Sequence, residues 1–194
     1  MTDTLAPTRP MPPPQLPDAV RRGSYLLDPV HTRVLFSVSH FGISTFYGEF
    51  LRPTGMLDLS SSQQGAEAGA LTVSVPVANV RTSVDLLDEE LCSRDWLDAG
   101  RFPNVTLTST SPVSLASRAF HVAGNLSLHG VTREIVLDAT FVGAGINPVK
   151  QVYTIGFDIR GTLRRSDFGV LAALPQIGEE VGLIVSAAFE LQSS

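Results

Sequence analysis

The chain has 194 residues, 43% of them hydrophobic and 17% charged, enough for one well-buried domain. A net charge of -5 gives no electrostatic hold on phosphates, so nucleic acid is not an expected partner. Cys92 is the only cysteine, which rules out an internal disulfide and leaves the fold to its core.

Residues 1–24 contain Pro7, Pro10, Pro12, Pro13, Pro14 and Pro17 and few large apolar side chains, so they read as a disordered N-terminal arm. Residues 25–194 read as a single domain. A secretory leader needs a basic start and a run of about 7 to 15 apolar residues, and a spanning helix needs about twenty. Neither pattern occurs here, and the expected location is the cytoplasm.

Strands begin at Tyr25–Leu27 and continue at Arg33–Phe41, where Val34, Phe36, Val38 and His40 share one parity and Ser37 and Ser39 the other. His40 therefore falls on the apolar face. Phe46–Asp58 reads as one long strand or a strand pair, and residues 60–69 as a small polar loop. Leu71, Val73, Val75 and Val77 alternate with Thr72, Ser74 and Pro76, whose missing N–H places it at an edge or a bulge.

The period then changes from two to a helical one. Ser83 is placed to cap a helix over Val84–Cys92 with Val84, Leu87 and Leu91 on one stripe, and Ser93 to cap a short turn through Asp95, Trp96 and Leu97. Alternation resumes at Val105–Thr110 and continues through Phe120–Leu128, Arg133–Val142, Val152–Arg164 and Val181–Gln192. Val122, Leu126 and Leu128 precede a His129-Gly130 turn, and Ile135, Leu137, Ala139 and Phe141 follow it on one face. The sum is an all-β domain of about eight antiparallel strands with a short helical insertion. Closure into a barrel removes exposed edges, and a two-sheet sandwich is the rival arrangement.

Candidate chemistry is sparse. His121 and His129 share a parity but lie about 26 Å apart on one strand at ~3.3 Å per residue, so they cannot hold one ion together, and no metal site is expected. Asp88, Glu89 and Glu90 read as a solvated helix face, and Arg160, Arg164 and Arg165 as a solvated strand end. Cys92 has no histidine near it in sequence to activate its thiol. His40 suits hydrogen bonding to a ligand's oxygenated end or to a backbone group, while His31 and His129 sit beside turns whose backbone they are placed to bond. No catalytic residue is assigned.

Several segments in order resemble one family. They are Leu27-Asp28-Pro29-Val30-His31-Thr32 with Val34-Leu35-Phe36-Ser37-Val38 and His40-Phe41-Gly42; Tyr47-Gly48-Glu49-Phe50; Val80-Arg81-Thr82-Ser83; Leu91-Cys92-Ser93-Arg94-Asp95-Trp96-Leu97-Asp98; Phe102-Pro103-Asn104-Val105; Gly124 through Thr132; and Arg165-Ser166-Asp167-Phe168-Gly169. From Tyr25 to about Phe189 the chain resembles the YceI-like, polyisoprenoid-binding proteins, whose fold is lipocalin-like. Many of those relatives look exported, whereas a proline-rich arm stands here where a leader would be.

The resemblance implies a closed barrel whose apolar lumen binds, stores or ferries a long isoprenoid or similar amphiphilic lipid, with no cofactor and no enzymatic activity. The side chains it assigns to ligand contact are Phe36, Val38, His40, Phe46, Phe50, Val73, Val75, Trp96, Phe102, Leu107, Leu126, Leu128, Ile155, Phe157, Phe168, Val185 and Phe189. Parity alone fits the same aromatics to a packed core. A barrel enzyme acting on a hydrophobic substrate and a solid-cored interaction module are the alternatives, and an exposed barrel mouth is compatible with transient membrane contact or a homodimer.

Overall fold

A computed structural model describes residues 20–59, 62–63, 66–67 and 69–193. In chain order the strands are β1 (Ser24–Leu27), β2 (Arg33–His40), β3 (Ser44–Phe50), β4 (Thr54–Asp58), the two-residue pair β5 (Ser62–Gln63) and β6 (Ala66–Glu67), β7 (Ala70–Pro76) and β8 (Val80–Arg81). Helix α1 (Asp85–Cys92) intervenes before β9 (Asn104–Ser109), β10 (Ala119–Leu128), β11 (Val131–Ile146), β12 (Tyr153–Arg164) and β13 (Ile177–Leu191).

The strands β1, β4, β7, β9, β10, β11, β12 and β13 run as antiparallel neighbours, and β13 pairs back onto β1, so the sheet closes as an eight-stranded barrel. β2, β3 and β8 extend this ring at one end. β1 and β2 both pair with β13, at Leu27–Phe189 and at Val34–Val185, and are two halves of one strand broken at residues 28–32. β3 and β4 are likewise halves of one strand, and β7 and β8 of another, because β2 pairs with β3, β1 with β4, β4 with β7 and β3 with β8. Two of the breaks lie against one another, where Leu51 N donates to the Asn79 carbonyl at 3.0 Å, while the break after β1 stays tied to β13, where Asp28 N donates to the Ala188 carbonyl at 2.8 Å.

Local chemistry explains the sharpest turns. Leu128 ends β10 and Val131 begins β11, so only His129 and Gly130 make the loop, with φ of 51° and 75°. Positive φ at both positions is the mirror-image turn that matches strand twist, and Gly130 carries it without strain while the Phe102 ring occupies the space a Cβ would need. Gly48 acts differently: it pairs with Phe36 across β2 and β3, and the Phe36 ring occupies the space its Cβ would need.

One end of the barrel is filled. Val20, Tyr25, Leu59, Leu115, Phe141, Tyr153 and Ile155 pack there among the buried core. The expected arm is therefore shorter at its inner end than residues 1–24. Val20 is buried, Arg21 sits over the Tyr153 ring at 4.4 Å, and β1 starts at Ser24. Residues 1–19 of that arm lie outside the described residues.

The helix begins one step later than its sequence pattern predicts. Val84 occupies the N-cap with no side-chain bond, so Ser83 does not cap it. Instead the Asp88 carboxylate turns back and accepts a 2.6 Å bond from Thr82 N, and Thr82 Oγ1 donates to the Val84 carbonyl at 3.0 Å. Asp88 is thus buried rather than part of a solvated face. Of the predicted stripe, Leu87 and Leu91 turn toward the barrel while Val84 is exposed.

Candidate functional site

Above the filled end the barrel is hollow. A cavity of about 530 Å³ runs between the strands and α1. Its floor is aromatic: Phe157 makes edge-to-face contacts with Phe120, Phe141 and Phe189, at centroid distances of 6.0, 5.8 and 6.1 Å. The walls follow strand parity. Val34, Phe36, Val38 and His40 of β2 line it, as do Val181, Leu183, Val185, Ala187 and Phe189 of β13, while Leu87 and Leu91 of α1 close one side. The mouth is the end where Phe41 and Glu90 both line the cavity and are exposed.

The structure brings most of the sequence-assigned ligand set together. Phe36, Val38, His40, Phe46, Phe50, Val73, Val75, Trp96, Leu107, Leu126, Leu128, Phe157, Val185 and Phe189 all line the cavity. Phe102, Ile155 and Phe168 do not. Ile155 has the parity of Phe157 but lies two residues deeper on β12, in the packed end beneath the aromatic floor, with 0% exposure. Phe168 is buried behind Leu126 and Leu128, and its carbonyl is 3.2 Å from His129 Nδ1. Phe102 meets the His129 ring edge-on at 5.2 Å, so it braces the β10–β11 turn instead of facing the lumen.

The lumen side chains with polar atoms are Thr32, His40, Glu90, Trp96 and Arg165. Thr32 lies near the floor, where its Oγ1 accepts from Ala188 N at 3.1 Å. The other four cluster at the mouth. His40 pairs with Ile177 across β2 and β13, Arg165 Nη2 donates to the Ile177 carbonyl at 2.8 Å, the Arg165 guanidinium sits 5.3 Å from the Trp96 ring centroid, and Trp96 Nε1 donates to Glu90 Oε1 at 3.2 Å.

Arg165 is the site residue that sequence reasoning missed. Its grouping with Arg160 and Arg164 predicts a solvated strand end, and those two are exposed, yet Arg165 is only 4% exposed. Burial pushes its guanidinium down from the ordinary arginine value, and the neighbouring Glu179 charge pulls it partly back. The available signal was its position: a strand ending in a 3-10 turn at Arg165–Phe168 places its first residue against the barrel while Arg164 points outward to Glu179 at 2.8 Å.

The remaining titratable candidates are dispersed. His31 bonds Asp28 at 2.6 Å and His121 bonds Asp138 at 2.9 Å, so the histidines serve separate places. Among the described residues no three His, Cys, Asp or Glu side chains gather as metal ligands. Burial pushes the Cys92 thiol up, against the pull of Arg81 and with the push of Asp88, which disfavours the thiolate. No helix among the described residues is long and apolar enough to cross a membrane.

Comparison with known proteins agrees with this architecture. A UPF0312 protein of Azotobacter vinelandii is 34% identical over 156 residues, covering 80% of each chain. Among solved structures, Burkholderia cenocepacia BcnA superposes with a TM-score of 0.71 at 18% identity, over 84% of this chain and 98% of that one. A polyisoprenoid binding domain from Saccharophagus degradans, implicated in plant cell wall breakdown, superposes with a TM-score of 0.68 at 17% identity, over 87% and 98%. Residues 25–189 match the YceI-like domain, and the chain belongs to that family.

Proposed function

We propose that the protein binds a long-chain isoprenoid or similar amphiphilic lipid in its lumen, to sequester it or carry it between membranes. The observation that carries this reading is the cavity of about 530 Å³ with hydrocarbon walls, an aromatic floor and one polar end. A pocket of that size and lining suits a single apolar guest. Taking roughly 30 Å³, a water molecule's share of its liquid, as the size of one methylene group, a guest of on the order of twenty carbons fits it. Longer tails protrude or fold.

Energetics favour exchange over capture from water. Burying about twenty methylene equivalents at ~0.8 kcal/mol each is worth roughly 16 kcal/mol from water. A lipid resting in a membrane is already out of water, so its transfer into the lumen is near neutral and turns on tail ordering and fit. Trp96 Nε1 and the Glu90 carboxylate bond each other, and three Arg165 N–H groups bond backbone carbonyls, an arrangement that suits holding a guest better than turning one over.

Denaturing organic extraction and mass spectrometry of freshly purified protein test this reading. A stoichiometric lipid is the expected result. Val38→Asp and Leu126→Asp place charge on the lumen wall and are expected to abolish lipid retention, while Ser127→Asn, on the outer face where Ser127 Oγ bonds Thr132 Oγ1 at 2.6 Å, retains it. Equal retention in all three, with folded protein by circular dichroism, refutes the lumen assignment.

A further inference from the structure

Hydrocarbon packing does not account for Arg165. Its side chain lines a lumen whose other side chains with polar atoms are Thr32, His40, Glu90 and Trp96, the rest being Val, Leu, Ile, Ala and Phe. Nε donates to the Gly178 carbonyl at 2.8 Å, Nη1 to the Val170 carbonyl at 3.0 Å and Nη2 to the Ile177 carbonyl at 2.8 Å. An arginine carries five N–H donors, so one on each Nη stays uncommitted among the described residues. All three acceptors are neutral. Glu179, the acid that acts on it electrostatically, spends its oxygens on Ser166 Oγ and on Arg164 Nη2. No carboxylate of the described residues lies within salt-bridge distance of Arg165. A buried cation whose electrostatic partner, Glu179, is bonded to other side chains is costly, and an anion supplied by the guest lowers that cost.

The surroundings fix where such an anion would sit. Three carbonyls hold the fork in place, and the Trp96 ring covers it. Glu90, bonded to Trp96 Nε1, stands at the exposed rim, and His40 lines the same end. Arginine is the side chain whose geometry matches planar or tetrahedral oxyanions.

We propose that the lumen selects amphiphiles whose head is a single oxyanion, a carboxylate or a phosphate monoester, and that Arg165 holds that head at the mouth while the tail runs to the Phe157 floor. This deepens the lipid-binding reading and rests on it. Glu90 has the same sign as such a head and sets an upper limit on how tightly it is held.

Trp96 is the only tryptophan, so its fluorescence reports on this corner of the lumen directly. The test titrates delipidated full-length protein at pH 7 with three twenty-carbon ligands of one tail: geranylgeraniol, geranylgeranoic acid and geranylgeranyl monophosphate. At least one acidic ligand is expected to bind tenfold or more tighter than the alcohol, and the tighter of the two identifies the head as carboxylate or phosphate. Arg165→Gln is expected to collapse the acid-to-alcohol ratio toward one, and Glu90→Gln, at the rim, to widen it threefold or more. Should Arg165→Gln fail to fold, the wild-type ratio and the Glu90→Gln change decide. Equal affinities for all three ligands in the wild type, or an unchanged ratio in folded Arg165→Gln, overturn the head-group assignment and leave the lipid lumen standing. Failure of all three to bind overturns the lumen reading itself.

Discussion

Asp28 carries a buried charge at the break between β1 and β2, and its partners decide how the protein responds to acid. Burial alone raises its pKa. Lys150 Nζ at 2.8 Å, His31 Nδ1 at 2.6 Å and Val30 N at 2.9 Å outweigh that, and hold the carboxyl well below the usual carboxylate range. Because the folded value lies below the unfolded one, the stability this group supplies is present above about pH 4 and is lost as pH falls further. Asp28→Asn is expected to lower unfolding free energy by about 2 kcal/mol at pH 7, the scale of charge-assisted hydrogen bonds. The gap between wild type and variant should narrow progressively in urea titrations as pH falls below about 4. A constant gap across that range contradicts the role. At this scale the sequence shows type and parity but not partners: Asp28 and His31 stand in a legible turn motif, whereas Lys150, 122 residues away, is joined to them only by the fold. Arg165 differs in parity from the exposed Arg164, but the carbonyls of Val170, Ile177 and Gly178 that hold it are brought to it only by the fold.

Helix α1 is short for an independently stable helix and has no capping side chain at Val84, so it depends on what it docks against. Leu87 and Leu91, four apart, lay one stripe on the lumen, and Asp88 ties the first turn to Thr82 N. The acidic run Asp88, Glu89 and Glu90 looked uniformly solvated in sequence. Steps of about 100° around a helix send the three in different directions, so one turns inward to the Thr82 backbone, one to solvent and one to the cavity rim. Asp88→Ala is expected to destabilise the protein by about 1–2 kcal/mol through the lost backbone bond. The effect should be local: amide exchange accelerates across residues 85–92 and lipid leaves faster, while β10–β13 keep their protection, as hydrogen-exchange mass spectrometry can resolve. Strand elements were more legible than this helix, because alternation and the His129-Gly130 turn specify the β10–β11 hairpin locally. The composite strands were not, since only the shared pairing of β1 and β2 with β13 shows that they continue one another.

At the scale of the whole barrel, one end is packed and the other hollow, and this division is where sequence reading stops. Period two assigns a residue to a face of the barrel wall but not to a height along the axis. Phe157 and Ile155 are alike in parity and strand, yet one makes the floor and the other lies below it. The same blindness hides whether the inward side chains meet across the axis, which is the difference between a solid core and a container. A container has a thermodynamic signature that a solid core lacks. Apolar walls around about 530 Å³ forgo contacts that a guest restores, so ligand binding to the folded state alone raises stability by RT ln(1 + [L]/Kd). At a free ligand concentration of 100 times Kd this is about 2.7 kcal/mol, and for a chain of this length each kcal/mol moves Tm by roughly 2–4 °C. Delipidated protein is therefore expected to melt about 5–10 °C below protein saturated with a twenty-carbon isoprenoid in differential scanning calorimetry. The shift should shrink in Val38→Asp, whose charge spoils the wall without adding bulk to the floor, and identical melting of loaded and delipidated wild type would mean that the barrel completes its core unaided.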